Sequence, residues 1–205
     1  MNNMKNCLLA AVILIWPTSS CVALQAAEET LLGQKVREAL LLNCIESCPP
    51  VASRLLELGP AKSVSAIVLS FAVQNKDAKK GDGTPAYPTL IDAVFALGKL
   101  KETTGLPLLR ELIMREGVSP EVEIYALQSI GEIDPDGNKG VLLRALKSQE
   151  FPVRRAAAEA LSKTNDASVL TELEVVASQE KSRGQSGVIQ VLADAMRARM
   201  SAVVK

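Results

Sequence analysis

The sequence of 205 residues contains no histidine. That removes the Ser-His-Asp and Cys-His arrangements, histidine metal sites and the commonest general base. Aromatic residues are scarce, at 3%: Trp16, Phe71, Tyr87, Phe95, Tyr125 and Phe151. So few rings supply a poor platform for stacking bases or sugars. An excess of either charge is missing too, since 23 Lys and Arg balance 23 Asp and Glu. No net field therefore draws the chain to nucleic acid or to an anionic membrane. What the chain has in quantity is apolar side chains, 48%, against 22% charged. That balance buries a core and is not that of a disordered tail, and the length suits one or two domains.

The first 26 residues read as an address. Lys5 is their only charge, and an apolar run follows from Cys7 to Trp16 until Pro17 breaks it. Such a run is too short to span a bilayer as a helix, which takes about 20 residues. A charged start, a short apolar stretch and small residues after it are the parts of a secretory signal peptide, with cleavage expected after Ala23 or Ala26. One alternative is a buried amphipathic first helix, against which the run's lack of a polar face argues; the other is a lipoprotein signal ending at Cys21. It wants an aliphatic residue three places before the cysteine, where Thr18 stands. Residues 27–205 would then be a soluble, periplasmic or secreted product, lipid-anchored only if Cys21 is modified and with no segment inserted in the membrane.

Cys44 and Cys48 follow the leader, spaced C-x-x-x-C and trailed by Pro49-Pro50. An even pair in an exported chain reads as one disulfide. Proline disfavours the helical region for the residue before it, so Cys48 falls on a turn, where a bridge forms more easily. The closed loop is small and would staple that turn. Free thiols or a redox pair are the other options. Two cysteines without histidine do not make a normal structural zinc site.

The body repeats itself. Residues 89–100, 122–133 and 153–164 align, with Leu97, Ile130 and Leu161 at equivalent places, 33 and then 31 residues apart. A fourth, degenerate copy is expected to end near Leu192. A shorter apolar stretch of helical spacing lies between successive copies, at 106–112, 140–146 and 168–173. Val122, Ala126, Ser129 and Ile130 form one stripe; Val153, Ala157, Ala160 and Leu161 form its match. Pro120 and Pro152 sit at helix starts, where a missing N–H costs nothing, and Gly98, Gly105, Gly117, Gly131 and Asp134-Pro135-Asp136-Gly137 mark stops and turns. Small residues on the stripes (Ala96, Ala126, Ala157) allow close helix approach. Each helix pair has two apolar faces and buries both only by stacking. With helices upstream, the expectation is an all-α, right-handed α-solenoid of about five stacked pairs: 30–47 with 50–58, 62–75 with 88–101, 105–116 with 120–132, 138–147 with 151–163, and 167–179 with 185–201. Gln74 to Pro88 is the longest connection, polar and glycine-rich, and is expected to be a mobile surface loop.

The stretch from Val141 to Leu161 carries a resemblance. Leu142-Leu143-Arg144-Ala145-Leu146, then Pro152-Val153-Arg154-Arg155-Ala156-Ala157-Ala158-Glu159-Ala160-Leu161, resembles a HEAT repeat, of the short variety first described in phycobilisome lyases. The family pattern closes on glycine where this copy has Ser162. Its arginine is replaced by Glu123 in the copy before, and is missing near Asp92 in the first. The resemblance implies a solenoid whose second helices line a concave, protein-binding face. It also implies that Arg154 pairs with acidic turn residues of a neighbouring repeat.

Candidate sites are few. Arg154 and Arg155, with Glu123 and Tyr87, are the candidate partner-binding residues; ordinary ion pairing or solvation is the competing account of the arginines. Asp134 to Asn138 has the alternating oxygens of a calcium loop, but the sixth and twelfth places hold Lys139 and Ala145, so a plain turn is expected. Asp77 to Gly83 lacks the Gly-x-x-x-x-Gly-Lys spacing of a phosphate loop. Glu121/Glu123 and Glu28/Glu29 are carboxylates at helix starts, explained by the helix dipole better than by catalysis. No cofactor or metal is expected. The reading is a non-catalytic, exported scaffold that binds an unidentified envelope or secreted protein and no nucleic acid. The alternative, by resemblance alone, is a lyase or chaperone-like accessory protein.

Overall fold

Apolar residues three and four apart share a face only in a helix, and every regular element among the described residues of this computed structural model is helical. The structure describes residues 31–40, 55, 57–58, 61–77, 87–182 and 187–203. The helices are α1 (31–40), α2 (Ala61–Asn75), α3 (Tyr87–Lys99), α4 (Leu106–Met114), α5 (Pro120–Ile133), α6 (Lys139–Ala145), α7 (Phe151–Leu161), α8 (Ala167–Ser182) and α9 (Val188–Val203). A 3-10 turn, Thr103–Gly105, leads into α4. Four consecutive pairs from α2 to α9 match the expected pairs within a few residues at each end. The leader, Cys21, Cys44, Cys48 and most of the 74–88 connection lie outside the described residues.

Local chemistry sets the helix starts. Ser119 takes an extended backbone before α5, its hydroxyl accepts from the Val122 N–H at 3.4 Å, and Pro120 follows. Before α8 the Asp166 carboxylate accepts from the Ser168 N–H at 2.9 Å. Before α7 the Glu150 side chain makes no capping bond, and Pro152 supplies the preset φ instead.

Each second helix packs on the next: α3 on α5, α5 on α7, α7 on α9. The stripe residues Ala96, Val122, Ala126, Ile130, Val153, Ala157 and Leu161 are fully buried. The closest approaches fall on other small residues. A Cβ on Gly98 would stand 2.7 Å from the Ser129 Cα, and one on Gly131 would stand 2.9 Å from the Ala160 Cα. Backbone meets backbone there, which only residues of this size permit. The Ser129 hydroxyl uses that proximity, donating to the Val94 carbonyl at 2.8 Å.

The fourth copy is placed differently from the sequence expectation. Leu161 is fully buried at the end of α7. Leu192 instead lies near the start of α9 and is only half-buried. The buried positions of α9 are Ile189, Ala193 and Met196. They match Val153, Ala157 and Ala160 of α7, each 36 residues on. The cause is α8, whose 16 residues exceed the 7 of α6 and carry the chain further before it turns back.

Candidate functional site

The C-terminal turns of the second helices form an open groove of about 390 Å³. Two rows of side chains line it in repeat register. Phe95, Gln128 and Glu159 come two residues before Leu97, Ile130 and Leu161; Lys99, Glu132 and Lys163 come two residues after. Ser129 and Ala160 make the floor between them, and Leu192 of α9 closes one end. One register position on three successive helices thus reads plus, minus, plus.

Both lysines address the same oxygen. Lys163 Nζ stands 2.9 Å from Glu132 Oε1, and Lys99 Nζ stands 3.6 Å from it. The hydrogen bond from Lys163, with the charges of both lysines, holds the Glu132 carboxyl below the usual glutamate range. Lys99 also lies 5.3 Å from the centre of the Phe95 ring, whose face attracts a cation. Phe95 is braced in turn by an edge-to-face contact with Tyr125, centroids 5.9 Å apart. On the far side Arg155 donates to Glu159 at 2.9 Å along the same helix. Arg199 of α9 donates to the carbonyls of Ser162 and Thr164 at 2.6 Å, at the end of α7.

The residues singled out from sequence go to different places. Arg155 is 54% exposed and flanks the groove through Glu159. Arg154 turns inward. Its side chain is 7% exposed, and it donates through Nε to Glu180 Oε1 at 2.8 Å and through a terminal nitrogen to Oε2 at 3.0 Å. Its other terminal nitrogen reaches the carbonyls of Ser148 and Gln149 at 2.8 and 2.7 Å. The arginine pairs across to the next repeat with Glu180, a residue of the last turn of α8. Glu123 sits half-buried on α5 away from the groove, and burial pushes its carboxyl above the usual value. Tyr87 opens α3, and its side chain lies outside the described residues.

The Asp134 turn is built by its own hydrogen bonds. Asp134 accepts from the Gly137 N–H at 2.9 Å, while Asn138 donates to the Asp134 carbonyl at 2.7 Å and accepts from Arg110 at 2.6 Å. Nearby, the hydrogen bond from Lys139 holds the Asp166 carboxyl well below the carboxylate range. Among the described residues no three metal-ligating side chains cluster. No described helix is long and apolar enough to cross a membrane.

The groove was within reach of sequence, because the alignment already contained Lys99, Glu132 and Lys163. Charge alternating at one register across repeats was the missed signal.

No curated protein matches the chain. Residues 113–193, from the end of α4 into α9, match the family model for HEAT repeats, which supports a HEAT repeat protein built as an all-α solenoid.

Proposed function

We propose that the chain is an exported, non-catalytic scaffold that holds an envelope or secreted partner protein on the face formed by its second helices. HEAT repeats commonly mediate contact between proteins. The observation that carries the reading here is the groove, where consecutive second helices display exposed side chains of both signs at one register. Mixed charge over a shallow, many-helix surface suits a protein better than a small molecule, which favours a deep and mostly apolar cleft. The leader at 1–26 supports export, and Cys44 with Cys48 would be bridged in an oxidising compartment. In this reading about five pairs stack into a right-handed superhelix with the groove on its concave side. Arg155 and Glu159 form the rim, while Arg154 holds α7 to α8.

Photo-crosslinking in the source cells tests this. Benzoylphenylalanine at Gln128, in the groove, is expected to give one discrete adduct in the envelope fraction. The same group at Glu111, exposed on the first helix α4, gives none. Equal adducts from both sites, or none from Gln128, would remove the second-helix face from consideration. The N-terminus of the recovered protein is expected to follow Ala23 or Ala26.

A further inference from the structure

We propose that the groove takes an extended segment of a partner protein that carries a carboxylate side chain next to an apolar one. This rests on the scaffold reading and names the chemistry the same face selects. The argument is a count of charges and donors. Lys99 and Lys163 converge on a single oxygen of Glu132. Glu159 is already matched by Arg155 on its own helix. The five side chains therefore leave one positive charge unbalanced. An ammonium has three N–H donors and no acceptor. Lys163 spends one donor on Glu132 at hydrogen-bond distance, and Lys99 stands at 3.6 Å, beyond it. Arg199 adds a further cation at the Ser162 carbonyl. Lys99 and Lys163 lie at the C-terminal ends of α3 and α7, while α5 ends beside Glu132, and a helix end carries only about half a charge, spread over several carbonyls and screened by solvent. It fills none of the open ammonium donors.

The apolar half of the preference comes from the floor and the two ends. Phe95 presents a ring at one end, Leu192 a half-buried side chain at the other, and Ala160 lies between. A carboxylate bound to the open donors of Lys99 or Lys163 brings its neighbouring side chain onto one of these surfaces. An extended segment advances about 3.3 Å per residue, so about three residues cover the 8–10 Å between neighbouring helices. A volume of about 390 Å³ is enough for a few side chains and too small for a docked helix.

The test is selection of a phage-displayed random heptapeptide library on the full chain, on the double variant Lys99→Glu with Lys163→Glu, and on Lys99→Arg with Lys163→Arg. Both substituted lysines are exposed, and circular dichroism checks that each variant keeps its helices. The parent is expected to enrich Asp or Glu beside Leu, Ile, Val or Phe. The arginine variant keeps that enrichment. The glutamate variant loses it, and binds a selected acidic peptide about tenfold or more weakly. Peptides that reach the groove without acidic enrichment, or acidic enrichment that survives in the glutamate variant, overturn the proposal and leave the scaffold reading standing. Failure to select any peptide, together with no adduct at Gln128, sinks both.

Discussion

A single side chain decides how one repeat is joined to the next. Arg154 and Glu180 are a fork-on-fork pair, almost wholly out of solvent, with further donors of the guanidinium spent on two carbonyls. Breaking such a pair strands a buried charge, whereas replacing both partners with apolar side chains of similar size often costs little. Arg154→Met is therefore expected to lower stability by about 3–5 kcal/mol, and Arg154→Met with Glu180→Leu to recover most of the loss. Arg154→Lys does not rescue it, because an ammonium cannot span two carboxylate oxygens and two carbonyls. Urea midpoints of the four proteins measure this, and a parental midpoint for Arg154→Met would show that the pair carries no stability. Glu123 occupies the equivalent register position on α5 and has the opposite problem. Its carboxyl is pushed up by burial, so the folded state holds the proton more tightly than the unfolded chain. Folding is then unpenalised below the ordinary glutamate value of 4.5 and loses stability as pH rises through and above it. Glu123→Gln is expected to raise the melting temperature at pH 7 and to make little difference below pH 4. Thermal melts across that range check the sign, and an equal shift at both ends refutes the titration.

At the scale of the helix, contact between backbones sets the spacing of the stack. Alanine at Gly131 would place its Cβ 2.8 Å from the Ala160 Cβ and 2.9 Å from its Cα. The neighbour's backbone cannot swing aside. Overpacking of this kind costs about 1–3 kcal/mol, against a gain in helix propensity of about 1 kcal/mol. The contacts are close enough that the overlap wins. Gly131→Ala and Gly98→Ala should both lower the melting temperature, by about 2–4 °C for each kcal/mol. Gly140→Ala on α6 has open space and should add a few tenths to about 1 kcal/mol of stability, raising the melting temperature slightly. Scanning calorimetry of the three variants separates close approach from a general dislike of alanine. The sequence disclosed this architecture well where helices repeat in register. Pro120, Pro152 and the stripes of Val122 and Val153 fixed helix starts and buried faces, because those depend on local spacing alone; Gly131, expected to mark a stop, lies buried inside α5 instead. It did not disclose that Gly98 meets Ser129 and Gly131 meets Ala160, since which turn of one helix meets which turn of the next is a tertiary matter. Leu192 was misplaced for a related reason. The alignment assumed a constant period, and the longer α8 shifts the register of everything after it. The groove was half legible: its charged row stood in the aligned copies, but only stacking shows that Lys99, Glu132 and Lys163 meet.

Over the whole molecule, a stack of pairs presents an edge at which repetition must be discouraged. The side of α7 that meets the following pair uses Arg154, Ala158 and Leu161, all buried. In the register set by Ile189, Ala193 and Met196, the corresponding places on α9 are Gln190, Asp194 and Arg197. All three are exposed, and they join in one network. Gln190 donates to Asp194 at 3.1 Å, Arg197 donates to Asp194 at 2.6 Å, and Arg197 also pairs with Glu174 of α8. Arg197, hydrogen-bonded to it, holds the Asp194 carboxyl below its usual range. These exposed pairs add little to stability. Their effect is on association, because a charged row on this edge would have to be stripped of water before another apolar helix pair could stack there. Asp194→Leu with Arg197→Leu restores an apolar row beside Val191, which is already 66% exposed. The double variant is expected to melt close to the parent but to associate, through this edge, as its concentration rises. Sedimentation velocity over a range of protein concentrations reads the difference directly. A variant that sediments like the parent throughout would mean that the register of α9, and not its charge, keeps the edge from stacking.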